Sequence, residues 1–526
     1  MTSKDNQNNN TKPAILKTAL VVTLFTFGAK ILGYVRELIL AGLYGTSYVV
    51  DAYIMSQTIP NLILAGILSA IVTAYIPLLS EKIEKHSEQE GNVFTSQVLN
   101  MLTIVSMFIS ILGIIFAEQV TTVLASGFIG ETARLTSMFL RLTFAYIVFL
   151  SGSRILEAYL QYKGVFIPQV ICGYVQNIII IIAIFISVFQ GVYFLAVGFL
   201  AGNAIYFLLV YVLSRKRGFK HQKPEISKWR KIGKEIYILA VPVFIGSEIS
   251  VINAFVDKYL ASGLMEGSVA ALNYAYELQM LIISLTSSVF IGVIYPQLAQ
   301  ACSSNNRRIF CDIIERGTRI ILIIAIPCMI GAILFCDPIV KVIYGRGAFD
   351  TMAVVMTGSA FAYYAIAIPF HALNILFTRI FYSLQDMRTP VKYGIVSMII
   401  NMLLNVILIN YMQHNGLALA TSIATICNTI MLYMCMRKKY PWVTIVSNKR
   451  KMFVIAGIAV GVVYISYEIF RFLVGLDAMY QWTCLLVAIC ICCLLYMLLL
   501  MFAKVEEVKI LDQTIKRLLK VKKRED

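Results

Sequence analysis

The sequence has little charge and few residues suited to chemistry in water. Only 14% of its 526 residues are charged, and it contains just 4 histidines. It has no Walker A loop, no H-E-x-x-H motif and no loop longer than about twenty residues. An ATPase or an active-site domain therefore has no place in the chain. A soluble protein of this length would need more charge to cover its surface.

The chain is rich in long apolar runs, such as 320–335 and 485–502, and 59% of it is hydrophobic. Runs near 20 residues match the ~30 Å hydrocarbon core of a bilayer. The 11 cysteines lie mostly in or beside such runs, so we interpret them as small hydrophobic residues. These features predict an all-α polytopic membrane protein with about fourteen transmembrane helices. The predicted spans are 14–34, 49–79, 98–125, 135–160, 165–189, 192–214, 236–258, 268–300, 318–343, 353–382, 390–412, 416–436, 452–474 and 481–504.

The net charge of +17 is explained by where the basic residues stand. With the N-terminus inside, most of them fall in the tails and loops of that same side, which is the positive-inside rule. No nucleic-acid partner is needed. The basic C-terminal tail either anchors the chain beside the last span, which is the simpler interpretation, or contacts membrane phospholipids at their surface. Both termini are expected in the cytoplasm.

A dense basic loop divides the predicted helices into two groups of six. Weak sequence similarities pair a helix of the first group with its counterpart in the second, for example 69–81 with 288–300. Two lobes around a central cavity are common in secondary transporters. The predicted organisation is a tail at 1–13, an N-lobe at 14–214, a basic linker at 215–235, a C-lobe at 236–436, two further helices within 437–504 and a basic tail at 505–526.

Ionisable residues inside the spans are the first candidates for function, because each costs ~2.5–3.5 kcal/mol at the bilayer centre on insertion scales. Lys30 and Glu37 lie seven residues apart on one face of the first helix, where they could pair. In the alternative interpretation, Arg36 and Glu37 mark the outer end of a short helix and reach the interface. Arg154 on helix four, Glu277 on helix eight and Arg379 on helix ten extend the candidate set.

Polar residues on three later helices form a candidate cation site. Asp257 belongs to a polar stripe on helix seven, Asn401 and Asn405 lie four apart on helix eleven, and Thr421 opens the next helix. Their oxygens suit a hard cation such as sodium. Packing and capping explain the asparagines and the threonine equally well. Na+ or H+ is the expected coupling ion, and no other cofactor is expected.

Several stretches resemble the MurJ (MviN) family of lipid II flippases, within the multidrug/oligosaccharidyl-lipid/polysaccharide exporter superfamily. The strongest match joins KILGYVRE (30–37), YGTSYVVDAY (44–53) and IPNL (59–62). Further matches are 256–275, YGRGAFD (344–350) and FYSLQDMRTPVK (381–392), so the resemblance covers essentially the whole chain.

The resemblance implies alternating access that moves an undecaprenyl-diphosphate-linked peptidoglycan precursor to the outer leaflet of a bacterial cell membrane. Lys30 and Arg36 stand at the family's helix-one arginines, Asp51 at its helix-two aspartate, and Asn61 in its I-P-N-L motif. A guanidinium suits a diphosphate because its planar fork donates two hydrogen bonds. Asp257, Asn401, Asn405 and Thr421 fall on the family's sodium-site positions. Cell-wall synthesis machinery is an implied partner.

Two departures from the family pattern leave the substrate open. The chain reads PNLILA (60–65) without the usual arginines, and Glu277 replaces an arginine. Arg154, Arg379 or Lys30 could compensate. A flippase for another polyprenyl-linked oligosaccharide, of capsule, teichoic or O-antigen type, and a cation-coupled multidrug exporter are the alternatives. A membrane-embedded transferase and a structural scaffold fit the sequence less well.

Overall fold

The computed structural model describes residues 25–284, 286, 289–304, 306–445, 449–475 and 481–503. These residues are helical wherever the backbone is regular, and none of them forms a strand. The helices are α1 (25–44), α2 (Tyr48–Lys85), α3 (Glu88–Ile115), α4 (Ala117–Leu124), α5 (Gly130–Tyr162), α6 (Ile167–Gln190), α7 (Tyr193–Lys216), α8 (Ile226–Ala261), α9 (Ser268–Ile283), α10 (Val289–Ser303), α11 (Arg307–Leu334), α12 (Cys336–Tyr344), α13 (Thr351–Ala365), α14 (Ile368–Ser383), α15 (Arg388–Met412), α16 (His414–Lys439), α17 (Lys449–Gly475) and α18 (Gln481–Phe502).

Ten helices of the described chain are long and apolar enough to cross a membrane. The pair α13 and α14, bent by 46°, raises the number to eleven when it is taken as one span. The all-α polytopic class predicted from the sequence is therefore confirmed, whereas the count of fourteen is not. Charge and breaks in the helices account for the difference: α1 carries Lys30, Arg36 and Glu37, while α9 and α10 have only 16 and 15 residues.

The first helix ends ten residues later than the predicted boundary at residue 34, because α1 continues to residue 44. Its end is set by Gly45, whose φ of +58° lies in the left-handed region and whose N–H donates to the carbonyl of Ala41 at 2.8 Å. A glycine in this conformation is a common helix terminator. Arg36 and Glu37 consequently lie inside the helix and not at its outer end.

The chain forms two compact units: Met1–Ala270 with Gly347–Phe349, and Ala271–Arg346 with Asp350–Asp526. This division differs from the predicted lobes, which separate at the linker 215–235. The helix α8 groups with the first unit because it packs along α2 and α3. Most of the predicted linker is itself helical, since only 217–225 lies between α7 and α8.

Each unit has an aromatic core and an apolar outer surface. In the first unit, the ring of Phe199 meets Tyr146 at 5.0 Å and Tyr53 at 6.4 Å between centroids. In the second unit, Phe310, Phe377 and Phe381 are buried where α10, α11, α14 and α16 meet. Large apolar side chains remain exposed along α3, α6, α15 and α18, as expected for helices whose solvent is lipid.

Candidate functional site

The centre of the candidate site in the first unit is an ion pair inside α1. Arg36 Nη2 lies 2.7 Å from Glu37 Oε1, and Arg36 Nη1 donates a hydrogen bond to Asn177 Oδ1 of α6 at 3.3 Å. The two charged side chains are 25% and 18% exposed, so they are shielded but reachable. The charge of the guanidinium is thus locally balanced by the neighbouring carboxylate.

Lys30 and Glu37 do not form the ion pair that their spacing allowed, because the carboxylate of Glu37 is bonded to Arg36. Lys30 is exposed, two turns earlier on α1. Two helical turns are ~11 Å of axis, which both side chains would have to span fully extended. Arg36, next to Glu37 in the chain, reaches it without that cost.

Asp51 is buried at the start of α2, with 2% of its surface exposed. Its two carboxylate oxygens each accept a backbone hydrogen bond at 2.7 Å, from the N–H of Gly267 and from that of Ala270. Gly267 immediately precedes α9 and Ala270 lies in its first turn, where the N–H groups have no acceptors within the helix. Asp51 therefore caps the N-terminus of α9, and its contact with substrate stays a prediction.

Two further polar contacts line the first unit. Asn61 Oδ1 accepts a hydrogen bond from the hydroxyl of Tyr146 at 2.5 Å, which joins α2 to α5. Arg154 lies 3.3 Å from Glu157, whose second oxygen accepts a hydrogen bond from Tyr206 of α7 at 2.8 Å. The side chain of Arg154 is 53% exposed and that of Glu157 only 10%, so the arginine presents its charge outward.

In the second unit, the guanidinium carbon of Arg379 lies 5.5 Å from the ring centroid of Tyr295 and 5.9 Å from that of Tyr382. Such stacking holds a cation without neutralising it. Glu277, at the position where the family pattern has an arginine, lies half-buried in α9.

The structure brings together three of the four predicted cation ligands. Asn401 donates to Thr421 Oγ1 at 3.1 Å, and Asn405 donates to Asn401 Oδ1 at 3.0 Å, with both asparagines fully buried. Asp257, also buried, belongs to the first unit. The amide and hydroxyl oxygens of the three clustered residues have the chemistry that a hard cation requires. Among the described residues, no cluster of three or more histidine, cysteine or acidic side chains could hold a metal ion.

Sequence reasoning missed the residues that hold the charged groups in place. Asn177, Tyr146 and Tyr206 all act across long sequence separations, of 141 residues in the case of Arg36 and Asn177. One local signal was present, since Gln176 and Asn177 interrupt an otherwise apolar helix. The tyrosines gave no such signal, because a tyrosine in an apolar segment is as easily explained by core packing as by a hydrogen bond to a charged group.

The chemistry available in the described residues is recognition. Arginines presented by Asn177, Glu157 and stacked tyrosines can bind a phosphate-bearing group through charge-assisted hydrogen bonds. The geometry therefore indicates binding of an anionic ligand.

Comparison with known proteins agrees with this geometry. The family model described as "Lipid II flippase MurJ" matches residues 40–482. A probable lipid II flippase MurJ of Rickettsia prowazekii is 26% identical over 440 residues, covering 81% of this chain and 84% of its own length. One from Vibrio cholerae is 26% identical over 434 residues, covering 80% and 82%.

Solved structures show the same relationship. A lipid II flippase MurJ in an inward closed conformation superposes with a TM-score of 0.77 at 25% identity, covering 92% of this chain and 99% of that one. An inward-facing multidrug transporter of the MATE family has a TM-score of 0.67 at 14% identity, covering 80% and 96%, which shows a shared fold alone. The chain is a multispanning membrane protein and belongs to the MurJ family of lipid II flippases.

Proposed function

We propose that this protein moves lipid II, the undecaprenyl-diphosphate-linked peptidoglycan precursor, from the inner to the outer leaflet by alternating access. The observation that carries the proposal is the placement of Arg36. It lies inside α1 of a family member, held by Glu37 and Asn177, with its fork partly accessible. An arginine inside a membrane helix is costly and commonly marks a substrate pathway, and a diphosphate matches the geometry of its planar fork.

Arg36 acts as the primary diphosphate contact. Arg154 and Arg379 supply positive charge in place of the family arginines that are missing from 60–65 and from the position of Glu277. Lys30, exposed on the same helix, attracts the anion, while Glu37 and Asn61 orient neighbouring donors. Binding of the diphosphate competes with the Arg36–Glu37 ion pair. Release of Glu37 on binding therefore gives the protein a way to sense its cargo.

Transport is driven by the membrane potential or by an ion gradient. Asp257 with Asn401, Asn405 and Thr421 would hold the Na+ in a sodium-coupled cycle, and Asp257 would carry the proton in an H+-coupled one. The protein lies in the bacterial cell membrane with both termini in the cytoplasm, and works beside the cell-wall synthesis machinery. The distribution of basic residues and the hydrogen-bonded cluster in the second unit support these assignments.

Complementation of a strain depleted of its own lipid II flippase tests the proposal. Wild type should restore growth and the appearance of lipid II in the outer leaflet, and Arg36→Ala should not. Arg141→Ala is the matched control, because Arg141 also forms a 2.7 Å ion pair, with Glu118, but on an exposed surface. Normal outer-leaflet lipid II with Arg36→Ala, or failure of the wild type to complement, would overturn the proposal.

A further inference from the structure

The loop 217–225 between α7 and α8 is held against α3 by a ladder of hydrogen bonds. Side chains in the first three turns of α3 bond the loop backbone at distances of 2.7–3.4 Å. For example, Gln97 donates to the carbonyl of Lys223 at 2.9 Å and accepts from the N–H of Glu225 at 2.7 Å. The α3 residues of the ladder are Asn92, Ser96, Gln97 and Asn100. Because the backbone is bonded on one side, the loop has a fixed face toward the protein.

Phe219 anchors the same loop. It is 1% exposed, and its ring centroid lies 5.5 Å from that of Tyr159 and 6.3 Å from that of Tyr211. The basic side chains around it point the other way and are all exposed. This cationic strip consists of Arg215, Lys216, Arg217, Lys220 and Lys223. A loop that served only to set topology would need these charges but not the ladder or the anchor.

Exposed apolar side chains place the cationic strip at the edge of the hydrocarbon core. On α3 they begin at Ile104, one turn beyond the ladder, and on α7 they end at Val212, just before the strip. On α8, Ile226 is exposed at the first position of the helix, and a continuous run of exposed apolar side chains begins at Tyr237. On all three helices, the exposed apolar surface thus begins close to the cationic strip. We therefore place the strip at the depth of the lipid headgroups. The charge distribution predicts that this is the cytoplasmic side.

An apolar groove of about 600 Å³ lies below the cationic strip, between α2, α3 and α8. Its lining includes Met101, which follows Asn100 of the ladder along α3. The residues that line the groove are apolar or glycine, with one tyrosine among them. They include Ile67, Ile71, Gly233 and Phe244. The size falls within the range of small-ligand sites, and the lining suits a hydrocarbon chain.

We propose that the cationic strip and this groove form a binding site for one phospholipid with an anionic headgroup. Its phosphate lies against Lys220 and Lys223, and one acyl chain enters the groove. The cationic strip matches the anionic headgroup and the apolar groove matches an acyl chain, and Asn100 of the ladder and Met101 of the groove are neighbours on α3. The site is independent of the transport proposal, because it involves neither Arg36 nor the predicted cation ligands.

Native mass spectrometry of the purified full-length protein tests the site directly. The protein is mixed with equimolar phosphatidylglycerol and phosphatidylcholine of identical acyl chains, and the bound lipids are counted. We expect phosphatidylglycerol to bind preferentially. Lys220→Gln/Lys223→Gln should reduce that preference by about fivefold for each lysine removed. The control is Arg437→Gln/Lys438→Gln, which removes the same charge from an exposed part of α16 and should leave the preference unchanged.

A second pair of variants tests the groove. A Cβ at Gly233 would have no atom within 4 Å, so Gly233→Trp can fill the groove without displacing the backbone. We expect it to lower phosphatidylglycerol binding severalfold, while Gly457→Trp, an equally open position on α17, has no effect. Gln97→Ala keeps every basic residue but breaks two hydrogen bonds to the loop, at Lys223 and Glu225, and one to Trp229 of α8, and should weaken binding.

Several results would overturn the proposal. Equal binding of the two lipids would exclude the anionic headgroup, and an unchanged preference in Lys220→Gln/Lys223→Gln would exclude the cationic strip. Full displacement of the lipid by soluble glycerol phosphate, or normal binding to Gly233→Trp, would exclude the groove. None of these outcomes bears on lipid II transport, which is measured separately with Arg36→Ala.

Discussion

Replacing Asp51 with alanine tests whether this buried carboxylate holds the start of α9. Its two oxygens accept the N–H groups of Gly267 and Ala270 at 2.7 Å, and only 2% of the residue is exposed. Alanine leaves both donors without these acceptors. Each unsatisfied buried donor costs about 1–3 kcal/mol, so the first turn of α9 should lose about 2–6 kcal/mol of local stability.

Amide hydrogen exchange of the purified protein measures this loss where it occurs. At about 1.4 kcal/mol per tenfold, exchange around Gly267 and Ala270 should accelerate at least tenfold in Asp51→Ala. Asp51→Asn retains one acceptor and should fall between wild type and alanine. Asp350→Ala is the control: Asp350 caps α13 through one hydrogen bond of 2.8 Å to the N–H of Ala353, but is exposed. Losing it should cost only about 1 kcal/mol.

The result also separates structure from transport. Exchange that is no faster in Asp51→Ala than in wild type would refute the capping argument. Loss of complementation with unchanged exchange would instead favour the contact with substrate implied by the family resemblance. If both change together, the cap accounts for the defect, and Asp51→Asn should rescue each in part.

Two other predictions concern the thermal stability of the purified protein. Burial raises the pKa of Asp386, but hydrogen bonds from Lys439 and Thr389 outweigh it and hold the pKa below its ordinary value. Asp386→Asn should therefore lower the unfolding temperature at pH 7, and the difference should vanish as the pH falls below ~4 through the lowered pKa; a pH-independent difference would contradict this. A Cβ on Gly127 would lie 2.2 Å from the backbone nitrogen of Gly263, whereas one on Gly173 meets nothing within 4 Å. Gly127→Ala should cost about 1–3 kcal/mol and Gly173→Ala nothing, and equal melting temperatures would refute the packing argument.

The sequence predicted the helical membrane class and the family well, because both depend on local patterns. Apolar runs and the KILGYVRE to IPNL stretch are readable residue by residue. Helix boundaries were less accurate where charges enter a helix. The predicted end of α1 at residue 34 is ten residues too early. Hydropathy falls at Arg36 and Glu37, but the backbone stays helical until Gly45.

The division between structural units also needed the structure. The basic stretch 215–235 looked like a linker, but α8 starts at Ile226 and packs on α2 and α3. The remaining loop, 217–225, is bonded to α3 by side chains more than 120 residues earlier. Such pairing leaves no periodic signal in either segment.

By itself, the sequence determined which residues carry charge, that the chain is built of apolar membrane helices and which family it resembles. Only the tertiary structure decided what those charges do. Arg36 is held by Asn177, 141 residues away, and Asp51 caps a helix 216 residues away. The physical reason is that hydropathy acts on each segment alone, whereas a buried polar group must find its partner wherever the fold brings one.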